Sequence, residues 1–211
     1  MATEKGKNDG HVECKKCAES YKALLELHAK YELEKNKHKE TEIRLKHALE
    51  EAGTDSLTRL LNRGSFREAA SHVFALCMRD KTPVTMLYID LNDFKKINDT
   101  YGHRVGDDVL REIAALLKGQ FRESDILGRT GGDEFVALLP ETDLNHANNV
   151  VEKINYAFEV YAFHVDKEKL FLSVSIGVVE ASSEITSLEE IIEKADTEMY
   201  NIKRNRKKDF V

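Results

Sequence analysis

Gly131-Gly132-Asp133-Glu134-Phe135 sets two carboxylates directly after two glycines. Glycine lets a backbone turn tightly, and the apolar run Phe135–Leu139 that follows reads as a buried strand. Ile126-Leu127 suggests the other arm of a hairpin, so the acids fall at its tip. Side chains on a turn can converge on one ligand, and paired acids held rigidly suit a hard cation with a phosphate substrate. A solvated hairpin tip is the alternative for these five residues taken alone.

Other residues could complete such chemistry. Asp90 follows the β-rich run Val84–Ile89 and is expected to project from a strand end at a sheet edge. If the hairpin strand neighbours this one, Asp90 and Asp133 meet. With a backbone carbonyl they would suit Mg²⁺, which prefers few protein acids and several substrate or water oxygens. Such an ion lowers the pKa of an attacking hydroxyl; a helix N-cap is the alternative for Asp90. At Phe94-Lys95 a helix start and an ammonium favour phosphate. Asn98, Asp99 and Asp107 bracket the bend Tyr101-Gly102-His103, where an amide and a carboxylate could read a guanine edge or simply cap turns. Lys203 and Lys207, one helical turn apart, could clamp triphosphate oxygens or complement their own helix dipole.

Positioning these groups needs a folded scaffold. The 211 residues, 41% hydrophobic and 33% charged, allow one medium domain plus an extension. A net charge of −6 argues against a general nucleic-acid partner. No apolar run is long enough for a membrane span and no signal core opens the chain. Three cysteines give no disulfide framework, so a reducing cytoplasm is the expected location. Helices are predicted over Phe66–Met78, Phe94–Asn98, Asp107–Gly119, Leu144–Tyr161 and Leu188–Arg204. Strands are predicted over Val84–Ile89 and the hairpin arms, with a further strand or pair of strands over Leu170–Val179. The order is α+β, with helices packed on one face of a mixed or antiparallel sheet.

Ahead of this domain (residues 54–211) stand a flexible tail, 1–17, and a long helix, 18–53, closed by Gly53. Leu24, Leu27, Tyr31, Leu45 and Ala48 share a 3–4 spacing, with Glu34, His38 and Thr41 in the same register. A two-stranded coiled coil, apolar at both ends of its seam, is the expectation, and a solvated single helix the alternative. The tail carries Cys14-x-x-Cys17 with His11 close by. Zinc completed by a second chain or by His28, a redox pair, and an ordinary tail all remain open.

Taken together the motifs from Thr54 to Lys208 resemble the GGDEF family of diguanylate cyclases. Asp55-Ser56-Leu57-Thr58-Arg59-Leu60-Leu61-Asn62-Arg63 is similar to the family's opening Asp-x-Leu-Thr-x-Leu-x-Asn-Arg. Asp90 to Asp99, Tyr101-Gly102-His103, Gly106-Asp107, Gly131 to Phe135, Ser173 to Gly177, Ala195-Asp196 and Met199-Tyr200 follow in order. The resemblance implies a palm-like α+β domain, similar to nucleotide cyclases, that condenses two GTP into cyclic di-GMP and two pyrophosphates.

By position it also implies roles. Asp90, the Leu91 carbonyl and Asp133 would bind Mg²⁺ or Mn²⁺, with Glu134 as a further ligand. Asp133 would accept the 3′-hydroxyl proton, and Lys95 would stabilise the transition state. Phe94, Asn98, His103 and Asp107 would contact GTP, and Lys203 and Lys207 its phosphates. Arg122-x-x-Asp125 stands at the spacing of the family's product-inhibition motif, so feedback by cyclic di-GMP is expected. Lys153 replaces a second arginine that many relatives carry there. The tail after Lys203 lacks the family's glycine and has Lys207 where arginine, with its bidentate fork, is usual. One GTP site per domain and a two-fold symmetric product imply a homodimer, which the N-terminal helix would tether. A catalytically weak domain that receives GTP or cyclic di-GMP, or serves as an adaptor, is the alternative.

Overall fold

The computed structural model describes residues 9–165 and 168–209, with side chains at all of these except 9–16, 42–47, 49–51 and 207–209. The chain divides into two compact units, residues 1–52 and 53–211.

The described part of the first unit is one helix, α1, which runs Asp9–Gly53. It starts ahead of the expected Ala18, because nothing from His11 to Cys17 breaks a helix and propagation costs little once a turn exists. Cys14 and Cys17 therefore lie on the helix rather than in a tail before it. Cys17 is exposed; the side chains of His11 and Cys14 lie outside the described residues, and the zinc expectation with them. Tyr21, Leu24, Leu25, Leu27, Tyr31 and Leu33 are each more than half exposed.

The second unit runs α2 (Arg63–Asp80), β1 (Val84–Leu91), α3 (Phe94–Tyr101), α4 (His103–Lys118), β2 (Ile126–Gly131), β3 (Glu134–Pro140), α5 (Leu144–Val160), β4 (Phe163–Val165), β5 (Glu168–Leu170), β6 (Val174–Glu180) and α6 (Leu188–Asp209). The main sheet has the order β2-β3-β1-β6, and its three strand pairings are antiparallel. β4 and β5 form a separate small hairpin. Side-chain oxygens of Asn62 and Asp143 cap α2 and α5 by accepting from the N–H of Ser65 and His146.

Helices cover both faces of the sheet, where one was expected. All eight residues of β1 are buried, and alternate residues of a strand point to opposite faces. Leu87, Ile89 and Leu91 pack with Phe135, Ala137 and Leu139 against Val109, Ile113 and Leu117 of α4 and Ile154 and Phe158 of α5. Met86, Tyr88, Val136 and Leu138 pack on the other side against Phe66 and Phe74 of α2 and Ile191, Ala195 and Met199 of α6. A run apolar at both parities demands two covers. That also makes β1 a central strand.

Smaller differences have local causes. α4 begins at His103 rather than Asp107, leaving Gly102 alone between it and α3. The stretch 170–179, expected as one strand or a pair, holds the end of β5, a three-residue link and β6. β4, three residues long, is too short for a period to announce it. Among the described residues no helix is long and apolar enough to cross a membrane.

Candidate active site

Asp90 lies inside β1, opposite Glu134 on β3 and Ser175 on β6. It was expected at a sheet edge; it stands instead near the end of a central strand, because β1 is flanked on both sides. Directly opposed residues of antiparallel strands share a face, here the face of Tyr88 and α6. Tyr88 acts to lower the Glu134 carboxyl, and Lys203 of α6 donates to the Asp90 carboxylate. Asp133 sits in the turn between β2 and β3, where its carbonyl accepts from the Leu91 N–H at 3.2 Å. Asp90, Leu91, Asp133 and Glu134 are thus neighbours, as the motifs implied.

Negative charge is concentrated there. Burial is the main cause holding the Asp90 carboxyl above its ordinary value; Lys203 opposes it, and the charges of Asp133 and Asp196 add to it. Burial likewise raises Glu134, with Tyr88 opposing and Asp90, Asp196 and Asp133 adding. Tyr88 is pushed up to about 12, chiefly by its own burial. Carboxylates kept this close in a half-buried site favour a cation. The donors are all oxygens, the Leu91 carbonyl included, and so fit a hard divalent ion such as magnesium. Among the described residues no three His, Cys, Asp or Glu side chains gather as a ready ligand cluster. The fit therefore rests on few protein ligands, with the remaining positions left to substrate and water oxygens.

The turn itself is held from outside. Neither Gly131 nor Gly132 has positive φ; among described glycines only Gly102 does. A Cβ at Gly131 would stand 3.0 Å from the Glu134 carboxylate, so a side chain there would press on that group. Arg129 donates twice to the Gly132 carbonyl, at 3.1 and 2.7 Å, and binds Asp55 at 2.8 Å. Thr58 donates to the same Asp55 oxygen through its N–H and its hydroxyl. Burial would push the Asp55 carboxyl up, but the Thr58 and Arg129 bonds outweigh it and hold the group below its ordinary value.

On the far face of the sheet α3 and α4 supply the remaining residues. Phe94 is buried, and Lys95, His103 and Asp107 are exposed. An added Cβ at Gly106 would overlap the Asn98 amide oxygen at 1.9 Å, so the first turn of α4 lies directly against Asn98. That contact brings Asn98 beside the chain segment carrying Asp107. Lys203 reaches Asp90 rather than open solvent, while the side chain of Lys207 lies outside those described. Arg122 and Asp125 close a turn: the Arg122 N–H donates to the Asp125 carboxylate at 2.7 Å, and the Asp125 N–H donates to the Arg122 carbonyl at 3.1 Å. Burial raises the Asp125 carboxyl against that bond, and the Arg122 side chain is exposed.

Asp55 and Arg129 hold the turn, and Tyr88 and Asp196 act on its carboxylates, although sequence reasoning gave them no role. Asp55 and Asp196 stand in motifs it quoted, which was the available signal. Tyr88 and Arg129 read as ordinary strand residues.

Residues 52–209 match the family described as "Diguanylate cyclase, GGDEF domain". The chain belongs to the GGDEF family. It is 38% identical to the response regulator PleD of Caulobacter vibrioides over 161 residues, which is 75% of this chain and 36% of that protein. The chain thus spans about a third of that relative's length. Among solved structures, diguanylate cyclase SiaD of Pseudomonas aeruginosa, in complex with its activator SiaC, is 31% identical with a TM-score of 0.71, covering 93% of this chain and 75% of that one. The coiled coil and GGDEF domain of DgcB from Caulobacter crescentus, in complex with c-di-GMP, is 25% identical with a TM-score of 0.79, covering 85% and 95%. Both share the α+β architecture of this GGDEF domain.

Proposed function

We propose that this GGDEF protein is a diguanylate cyclase that condenses two GTP molecules into cyclic di-GMP with release of two pyrophosphates. The observation that carries this reading is the convergence of Asp90, the Leu91 backbone and Asp133, with Glu134, at one end of the sheet. Membership of the family and similarity to SiaD and DgcB support it.

In each half-reaction the 3′-oxygen of one GTP bonds to the α-phosphorus of the other, and the bond to the bridging oxygen breaks to free pyrophosphate. Asp133 accepts the proton of that hydroxyl. Lys95 neutralises charge on the phosphates, so positioning and electrostatics supply most of the rate. Asn98 and Asp107 hold the guanine edge, with Phe94 and His103 lining its approach, while Lys203 and Lys207 hold the phosphate tail. Asp90, Asp133 and the Leu91 carbonyl would hold magnesium or manganese, which when bound neutralises the triphosphate and acidifies the attacking hydroxyl.

Each domain supplies one GTP, so two copies must face each other. The exposed apolar residues of α1 suit a coiled coil, and the similarity to the coiled-coil form of DgcB supports that use. The turn Arg122–Asp125 would take cyclic di-GMP as feedback inhibitor, the guanidinium forking onto guanine or phosphate.

Purified protein incubated with GTP and Mg²⁺ is expected to yield cyclic di-GMP by chromatography, and Asp133→Asn less than a hundredth as much with its fold intact by circular dichroism. Absence of product from the wild type, with GTP still bound, would replace the enzyme reading by the receptor one.

A further inference from the structure

A cavity of about 330 Å³ opens beside α3. On a helix, residues four apart share a face. Lys96 and Thr100, and Ile97 and Tyr101, line the cavity, whereas Phe94 and Asn98 do not line it and face Gly106 of α4. No residue assigned to GTP lines the cavity, though it and the proposed substrate cleft both border the turn after β1.

Its walls divide by chemistry. Lys96, Arg206, Asp93 and the polar pair Asn92 and Ser173 form one side. Ile97, Tyr101, Leu170, Phe171 and Leu172 form the other. Glu168 fixes the Tyr101 ring by accepting from its hydroxyl at 2.7 Å, and Phe171 stands 63% exposed. Two cations beside exposed aromatic surface suit a flat ring bearing an anionic group.

The floor of the cavity is wired to the catalytic strand. The buried Asn92 amide donates to Ser173 Oγ at 3.1 Å and accepts from Ser175 Oγ at 2.8 Å. The Asn92 N–H donates to the Ser173 carbonyl at 2.9 Å, and Arg206 donates to the same Ser173 hydroxyl. Asn92 directly follows Leu91. Arg206 lies one turn beyond Lys203, which holds Asp90.

We propose that this cavity is a second binding site, for a small aromatic anion, and that its occupant tunes the GGDEF site through Asn92 and Arg206. The binding claim stands by itself; the tuning claim rests on the cyclase reading. The probe is 1-naphthyl phosphate, titrated calorimetrically into the full chain already saturated with a non-hydrolysable GTP analogue. One saturable site per chain is expected, at least tenfold weaker in Lys96→Glu and in Phe171→Ala, both substitutions of exposed side chains. The same probe should change the rate of cyclic di-GMP formation in the wild type and not in Phe171→Ala. Loss of binding when the GTP analogue is present, or equal affinity in both variants, overturns the site. Binding that the variants weaken, with an unchanged rate in an active enzyme, overturns the tuning. A chain that binds the probe but makes no cyclic di-GMP upholds the site and sinks the cyclase reading instead.

Discussion

Arg129 binds Asp55 at 2.8 Å across 74 residues of sequence, and its other two nitrogens hold the Gly132 carbonyl. The opening motif of the domain and the carboxylate-bearing turn are thus one mechanical unit. The guanidinium is the only rigid fork that could satisfy both partners from a strand.

Replacing Arg129 by methionine keeps the stem and removes the fork. The Gly132 carbonyl and the Asp55 carboxylate then lose charge-assisted bonds, each contributing about 1.5–3 kcal/mol. Urea denaturation is expected to show a loss of about 2–3 kcal/mol, since the freed turn can rehydrate. Cyclic di-GMP formation should fall at least tenfold, because Asp133 is no longer aimed. Unchanged turnover would mean the turn holds itself.

The Asp55 carboxyl lies below its ordinary value of 3.8 in the folded chain. Its native form therefore binds protons less readily than the unfolded chain, and stability rises with pH across that window. The contribution is complete above the ordinary value and disappears as pH falls through the lower folded value. Asp90, Glu134 and Asp125, raised by burial, work in the opposite sense, so whole-protein stability would mix the two. The stability gap between wild type and Asp55→Asn isolates the term: it is expected to be flat from about pH 7 to 5 and to narrow below the ordinary carboxylate range. A gap that widens on acidification contradicts the assignment.

The proposed feedback through Arg122 and Asp125 would have its own signature. The Asp125 carboxylate already receives the Arg122 N–H at 2.7 Å, so the turn survives loss of the guanidinium. Arg122→Ala is expected to keep the initial rate and raise the concentration of cyclic di-GMP needed for half inhibition at least tenfold. Inhibition unchanged in this variant moves the product site elsewhere.

Deleting residues 1–52 removes one of the two compact units and leaves the other with its core clusters. The remaining domain should fold, and its turnover at nanomolar enzyme should drop well over tenfold and recover as concentration rises. Tethering works by effective concentration, which dilution would not lower in the proposed dimer. Undiminished nanomolar turnover would separate α1 from the activity.

The motif residues themselves were legible in the order of amino acids. Carboxylates after paired glycines, an acid closing a β-rich run and an Arg-x-x-Asp ahead of the hairpin are local patterns, and local patterns survive without a fold. The long helix was legible too, for want of breakers between Val12 and Ala52. What the tertiary structure alone decided is which groups meet. Asp90 became the end of a central strand because both parities of β1 are apolar and both faces had to be covered. Lys203 found Asp90 across 113 positions, and Arg129 found Asp55 across 74. Such pairings depend on strand order and helix placement, which periodicity does not encode. The cavity beside α3 arises in the same way, from α3, the β5–β6 link and α6, three segments that no spacing rule connects.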